Sequence, residues 1–294
     1  MDWKSRRVQG ILEAALLEDK ATSDTTTAIT IDPSLRASAT ILAKQDCVVA
    51  GIGCIEQILS IYSKLTGKTT NRYEVISHPE MFDGVRVKQG QAIAVIRHNA
   101  RVILSCERVI LNLMQRMSGI ATLTREYVDA VKKTDAKILD TRKTVPGLRV
   151  LDKYAVRCGG GQNHRLDLSD GILIKNNHIS LGGGLPTVLA RALEKRKAGQ
   201  MVEVEVRNAE ELEQALEGGA ESILLDNMTP REVEKSVARI RKVAGKIPIE
   251  ASGGMNLETV PKYAKTGIDF ISVGALTHSA VAVDLSMRIT AEIF

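Results

Sequence analysis

The sequence predicts an α/β protein in two parts, a mixed N-terminal region followed by a β/α barrel that is closed or nearly closed. Three observations carry this reading. The chain has 294 residues and 44% hydrophobic content, enough for two ordinary domains or one large barrel with a sizeable core. From about residue 137 onward, short apolar runs alternate with amphipathic helical stretches, the rhythm of parallel strands joined by crossover helices. Each run ends in a polar or glycine-rich element, and β/α barrels carry their chemistry at that end of their strands.

In the first part, Val8, Ile11, Leu12, Ala15 and Leu16 have helical spacing, and Ser23-Asp24-Thr25-Thr26 reads as a loop or cap. Strands are expected at 37–43, around 48–50 and at 73–76, with a helix over 53–65. Segments 84–87 and 92–96 read as a hairpin turning at Lys88-Gln89-Gly90-Gln91, as in small carrier sandwiches, but no Met-Lys-Met stands at the turn to make a biotin carrier. A helix is expected from 100 to about 133, broken at Ser118-Gly119. Its arginines, Arg101, Arg108, Arg116 and Arg125, cannot all face one ligand. The expected domains are 1–112 and 113–279, with a C-terminal helix over 280–294 packing back on the first.

The barrel strands are expected at 137–140, 171–175, 201–206, 222–226, 247–250 and 269–273. Asn208 with Glu211, and Thr229 with Pro230 and Glu232, form capping patterns that start helices. At the carboxyl ends of the strands stand Arg142-Lys143, Lys175, Glu205, Asp226, Ser252-Gly253-Gly254 and Gly274. A charge at one strand end usually serves solubility, but its recurrence strand after strand points to a site.

Composition narrows the ligand. Residues 97–175 hold 15 Lys/Arg against 8 Asp/Glu, so this stretch contains the basic excess of a chain whose net charge is +5. Aromatics make up only 3%, too few for base-stacking platforms, which favours small anionic ligands over nucleic acid. The mean hydropathy of −0.04 and the lack of an apolar run near 20 residues predict no membrane span. Gln9 and Glu13 interrupt the apolar stretch that a secretory leader needs, so a cytoplasmic protein is expected. Cys47, Cys54, Cys106 and Cys158 form no C-x-x-C pair and read as reduced, structural thiols.

Arg142, Lys143, Arg165 and Lys175, with Arg108, suit a substrate bearing several carboxylates or phosphates. Glu205 and Asp226 would hold Mg²⁺, bind ribose hydroxyls or face a developing positive charge. Ser252-Gly253-Gly254 before a helix starting near Asn256, and Gly274-Ala275 before another helical turn, bring free peptide N–H groups together as a phosphate cradle.

The chain resembles the quinolinate phosphoribosyltransferase family nearly end to end. The resemblance lies in residues 107–112 and 118–122, in Asp140-Thr141-Arg142-Lys143-Thr144-Val145-Pro146-Gly147-Leu148-Arg149, and in Gly159-Gly160-Gly161 leading to Asn163-His164-Arg165. It continues through Leu173-Ile174-Lys175-Asn176-Asn177-His178, Glu203-Val204-Glu205-Val206, Leu225-Asp226-Asn227-Met228, Glu250-Ala251-Ser252-Gly253-Gly254 and residues 273–278.

The resemblance implies an N-terminal α/β sandwich with an incomplete β/α barrel, the type II phosphoribosyltransferase architecture. It implies transfer of phosphoribose from 5-phosphoribosyl-1-pyrophosphate to quinolinate, with Mg²⁺, giving nicotinate mononucleotide, pyrophosphate and CO₂. It also implies a homodimer, with a hexamer of dimers left open. By position, Arg108, Arg142, His164, Arg165 and Lys175 resemble the quinolinate ligands. Lys143 resembles the residue nearest the pyrophosphate, and Thr141 shares its loop. Glu205 and Asp226 resemble the acidic pair over ribose and metal; Ser252, Gly253, Gly254, Val273, Gly274 and Ala275 resemble the phosphate turns. Lys44 resembles a basic residue donated across the dimer interface, although Gln45, Cys47 and Ser23 depart from the usual residues around it.

The final proton is expected from Lys175 or a water. His78, His98 and His278 read as surface or capping residues, and His178 as one that orients a neighbour. The competing readings are a related transferase with a different acceptor, a Schiff-base aldolase using Lys143 or Lys175, and a non-catalytic phosphosugar-binding protein.

Overall fold

The computed structural model describes residues 1–67 and 73–292, in two compact units. The first holds residues 1–123, 145–160 and 280–294, and the second holds 124–144 and 161–279. Strands β1 (Arg36–Ala43), β2 (Cys47–Val48), β3 (Glu74–Ile76), β4 (Arg86–Val87) and β5 (Ala92–Asn99) lie in the first unit. Next come β6 (Lys137–Leu139), β7 (Ile172–Ile174), β8 (Val202–Val206), β9 (Ser222–Asp226), β10 (Ile249–Ser252) and β11 (Phe270–Ser272) in the second. Strand β12 (Leu285–Ala291) returns to the first.

The first unit is built on an antiparallel sheet of order β12-β1-β5-β3. Along β1 burial alternates, with Ala37, Ala39, Ile41 and Ala43 buried, as the period of two in a half-covered strand requires. Helix Arg6–Glu18 buries Val8, Leu12 and Leu16, and helix Ile52–Thr66 buries Ile55, Ile58 and Leu59; the two pack on each other.

Four expectations for this unit are corrected. Segments 84–87 and 92–96 are not a hairpin: β4 pairs with β2, while β5 lies between β1 and β3. The intervening turn is held by other partners, since Ala43 and Gly90–Gln91 exchange backbone bonds and Asp46 takes both the Lys88 ammonium and the Gln89 N–H. The long helix Ala100–Val131 has no break at Ser118-Gly119 and no boundary at 112. Those two residues serve packing: a Cβ on Gly119 would lie 2.1 Å from the Val281 carbonyl oxygen, and Ser118 Oγ bonds the Ala50 N–H at 3.0 Å. The C-terminal segment is not helical, because β12 pairs antiparallel with the free edge of β1 from Ala43↔Leu285 to Ala37↔Ala291; residues 293 and 294 lie outside the described residues. His98 is neither surface nor simply capping: it is 1% exposed and stacked on Tyr73.

The second unit is a six-stranded parallel sheet of order β6-β11-β10-β9-β8-β7. The first strand pairs with the last, as in a barrel, while among the described residues no pairing of β6 with β7 closes it. This is the incomplete barrel. Its strands read as continuous apolar runs because helices cover the sheet: Val202, Val204, Val206, Ile223, Leu225, Ile249, Ala251 and Ile271 are all buried. The predicted caps form. Asn208 accepts from the Glu211 N–H at 2.9 Å, and Thr229 with Glu232 completes a reciprocal capping box at helix Pro230–Ala244.

Candidate active site

The carboxyl ends of the six parallel strands open into one cavity of about 630 Å³, all of whose lining residues belong to the second unit. After β6 the chain presents Thr141, Arg142 and Lys143, a loop tied down at both ends. Thr141 Oγ1 accepts from the Lys143 N–H at 3.0 Å, and Thr277 Oγ1 donates to the Lys143 carbonyl at 2.8 Å. Buried Asp140 holds the facing loop: it accepts from the His164 N–H at 2.9 Å and from Asn163 Nδ2 at 2.5 Å, so His164 and Arg165 enter the cavity beside Arg142. Burial lowers the Arg165 pKa, and the charge of Arg142 lowers it further. Guanidinium groups crowded in this way are poised to receive an anion.

Lys175 follows β7. Its N–H donates to His178 Nδ1 at 2.9 Å, so His178 does orient a neighbour, and Lys175 Nζ lies 4.0 Å from Glu205 Oε2. Glu205 and Asp226 end the next two strands on the opposite side of the charge pattern. Burial raises the Glu205 pKa and the Asp226 carboxylate raises it again, with Lys175 offsetting in part. Two hard-oxygen carboxylates at strand ends that repel each other fit a Mg²⁺ ion, which commonly takes one or two carboxylates and completes its shell with water and substrate phosphate. Asn227 donates to Asp226 Oδ2 at 2.7 Å and fixes its rotamer.

The glycine turns close the ring. Gly253 has φ +101°, and a Cβ there would lie 2.2 Å from Asn227 Oδ1, so only glycine lets the β10 turn pass against the β9 turn. Gly274 lies against Lys143, where an added Cβ would come within 3.0 Å of the lysine Cδ. One expectation is corrected here: no helix starts near Asn256. Its side chain takes the N–H groups of Glu258 and Thr259, which makes a turn, and the helix begins at Val260. At the first glycine turn the helix N-terminus is therefore several residues away, whereas at the second a short helix, Ala275–His278, starts directly after Gly274.

Residues 24–118 match the family model "Quinolinate phosphoribosyl transferase, N-terminal domain", and residues 120–288 match "Quinolinate phosphoribosyl transferase, C-terminal domain". The chain belongs to the quinolinate phosphoribosyltransferase family. It is 41% identical over 286 residues to a Bacillus subtilis protein described as a probable nicotinate-nucleotide pyrophosphorylase [carboxylating], covering 97% of this chain and 94% of that one. It is 40% identical to "Quinolinate phosphoribosyltransferase [decarboxylating] 2a, mitochondrial" of Nicotiana tabacum, over 97% of this chain and 83% of that one. Among solved structures, NadC from Streptococcus pyogenes superposes with a TM-score of 0.91 at 36% identity over 100% of both chains.

Of the residues singled out from sequence, the cavity gathers Thr141, Arg142, Lys143, His164, Arg165, Lys175, Glu205, Asp226, Ser252, Gly253, Gly254, Gly274 and Ala275. Val273 is buried in the sheet with its N–H on the Leu139 carbonyl, and is not a lining residue. Arg108 and Lys44 are exposed and belong to the first unit, where Arg108 pairs with Glu107 at 3.2 Å. Sequence reasoning passed over Asp140, Asn227, Ser272 and Glu250. His278, read as surface, also lines the cavity. Glu250 carried one available signal, a carboxylate inside an otherwise apolar parallel strand, where a charge needs a reason.

Proposed function

We propose that this cavity transfers phosphoribose from 5-phosphoribosyl-1-pyrophosphate to quinolinate, with loss of CO₂, to give nicotinate mononucleotide and pyrophosphate, as the family and relatives' names indicate. The observation that carries the reading is the gathering of both charges in one cavity: Arg142 and Lys143 after β6, the glycine turns after β11 and β10, Asp226 and Glu205 on β9 and β8, and Lys175 beside Glu205, with Arg165 also in the lining. Two anionic substrates must meet. At 4 Å each unit pair of like charges costs about 4 kcal/mol at an effective dielectric of 20, and the cations offset that repulsion. Arg142 and Arg165 grip the planar carboxylates in two-point contacts, and Lys143 neutralises the departing pyrophosphate. As it leaves, C1 of the ribose gains oxocarbenium character that Glu205 and Asp226 stabilise, and the pyridine nitrogen attacks. Decarboxylation follows, because the newly cationic nitrogen stabilises the carbanion beside it. Glu205 and Asp226 would hold Mg²⁺, whose chemistry is to neutralise pyrophosphate charge.

The test is release of CO₂ and pyrophosphate together from quinolinate, dependent on Mg²⁺ and the sugar donor. Full activity on nicotinate without CO₂ would remove quinolinate from the account, and borohydride trapping of a carbonyl substrate on Lys143 or Lys175 would favour an aldolase. We also infer a homodimer in which Lys44, exposed at the end of β1, is donated across the interface. Mixing a Lys44→Ala chain with an Asp226→Ala chain should then restore activity that each alone lacks. The four cysteines form no disulfide and three of them are buried, which supports a reducing compartment such as the cytoplasm. No helix among the described residues is long and apolar enough to cross a membrane.

A further inference from the structure

Among the described residues, two that are not glycine hold a left-handed backbone, Lys20 and Asn227. Lys20 stands in the turn after helix Arg6–Glu18, whereas Asn227, at φ +54°, follows Asp226 at the carboxyl end of β9 and lines the cavity. A side chain makes this conformation costly, and asparagine tolerates it better than most residues because its amide can bond locally. Glycine would bear no such cost. Strain held at a strand end, beside a reacting group, points to a task for the side chain.

The amide performs one. Its Nδ2 donates to Asp226 Oδ2 at 2.7 Å, and the carboxylate fixes which way the amide faces, since an amide oxygen at that distance would be repelled. Asp226 Oδ1 has no hydrogen-bond or ion-pair partner among the described residues. The oxygen end of the amide sits on the phosphate turn, because Asn227 Oδ1 and Cγ stand 2.2 and 2.6 Å from where a Cβ on Gly253 would lie. The backbone repeats the tie: the Asn227 N–H donates to the Ser252 carbonyl at 2.9 Å, continuing the ladder that sets Asp226 beside Ser252. Next in the chain, the Met228 carbonyl accepts from the Tyr263 hydroxyl at 2.8 Å, which holds the turn from helix Val260–Ala264. One residue therefore touches both the carboxylate that ends β9 and the glycine turn that follows β10.

We propose that Asn227 is a positioning residue of the transfer step, acting through Asp226. It occupies Oδ2 and leaves Oδ1 as the single working oxygen, in fixed register with the turn that receives the donor's phosphate. The inference rests on the phosphoribosyl-transfer reading of the cavity. An untied carboxylate can rotate and present either oxygen. One held at both the amide and the neighbouring turn has its charge in place before positive character develops at C1 of the ribose, and that preorganisation is what lowers the barrier.

Asn227→Gly keeps the left-handed turn and removes the amide. In a single turnover with enzyme in excess, pyrophosphate release should slow about tenfold or more, the range of one hydrogen bond to a charged group. KM for both substrates should stay within about threefold of wild type, and the denaturation midpoint should stay close to it. The deciding comparison is a double-mutant cycle. With Asp226→Ala already present, Asn227→Gly should change the same rate by less than about twofold, because no carboxylate remains for it to act through. An equal loss in both backgrounds, a single variant within about twofold of the wild-type rate, or a loss confined to KM would overturn the proposal. Asn227→Asp gives a second variant should glycine loosen the turn. It has the same shape and tolerates the same backbone, but sets an acceptor against Asp226, so its rate should fall at least as far; a wild-type rate would overturn the positioning role. Wild-type protein that releases no pyrophosphate from the sugar donor and quinolinate would overturn the functional reading, and this inference with it, whereas an additive cycle in an active protein overturns the inference alone.

Discussion

In the first unit, Asp152 is fully buried and Arg116 grips it with two bonds, 2.9 and 2.7 Å, while its Oδ2 also accepts from the Val145 N–H. In the second, Glu250 is nearly as buried, with one oxygen 3.4 Å from an imidazole it shares with Glu203 and the Ser272 hydroxyl beside it. Asp83 repeats the first pattern, since it caps the N–H groups of Gly51 and Ile52 and takes the Tyr154 hydroxyl. Arg142 and Arg165, both half-buried, crowd each other in the same cavity. Buried charge that is fully met locks the chain, and buried charge that is left crowded or unmet is available for chemistry.

The contrast can be broken by exchanging the roles. Removing Arg116 should strand a buried carboxylate: Arg116→Ala is expected to cost about 3–5 kcal/mol of unfolding free energy by chemical denaturation. Quinolinate KM in the surviving folded protein should stay near wild type, and a large KM change with intact stability would erase the distinction. Asp226→Ala should do the reverse, lowering kcat by about a hundredfold or more while the denaturation midpoint moves little. Arg142→Ala is expected to raise quinolinate KM about tenfold or more, with a smaller effect on kcat.

His98 sharpens the comparison through pH. Burial and then the Arg36 charge lower its pKa to about 4, from 6.5 in an open chain. Between those values the unfolded chain binds the extra proton. Stability is therefore full above pH 6.5 and is lost as pH falls toward 4, by on the order of 3 kcal/mol. His98→Phe, which keeps a ring against Tyr73, should flatten that part of the stability profile; an unchanged slope would show that His98 is not its cause. Smallest of all, Arg97→Ala removes ion pairs of 3.4 and 3.9 Å at a half-exposed side chain, and should change stability by less than about 1 kcal/mol.

Much of the second unit was legible because its signals are local. The apolar runs that become β8 to β11 and the Thr229–Glu232 box are read within a few residues of where they act. The barrel rule then placed Arg142, Lys175, Glu205 and Asp226 around one cavity with no knowledge of their distances. In the first unit the local signals misled. The hairpin pattern at 84–96 was sound in period but could not show that β1 would claim β5, and the chain end became a strand because β1 had an edge to fill.

By itself, the sequence determined the alternation of strand and helix, the family and the ring of charges at the strand ends, since each follows from short-range pattern and a fixed topology. Only the tertiary structure decided which buried groups are satisfied. His164 stands 39 residues from Glu203 and still further from Glu250, and no pattern in the chain brings the three together. They meet because strands β8 and β10 and the loop held by Asp140 bring their polar atoms within 4.8 Å of one another.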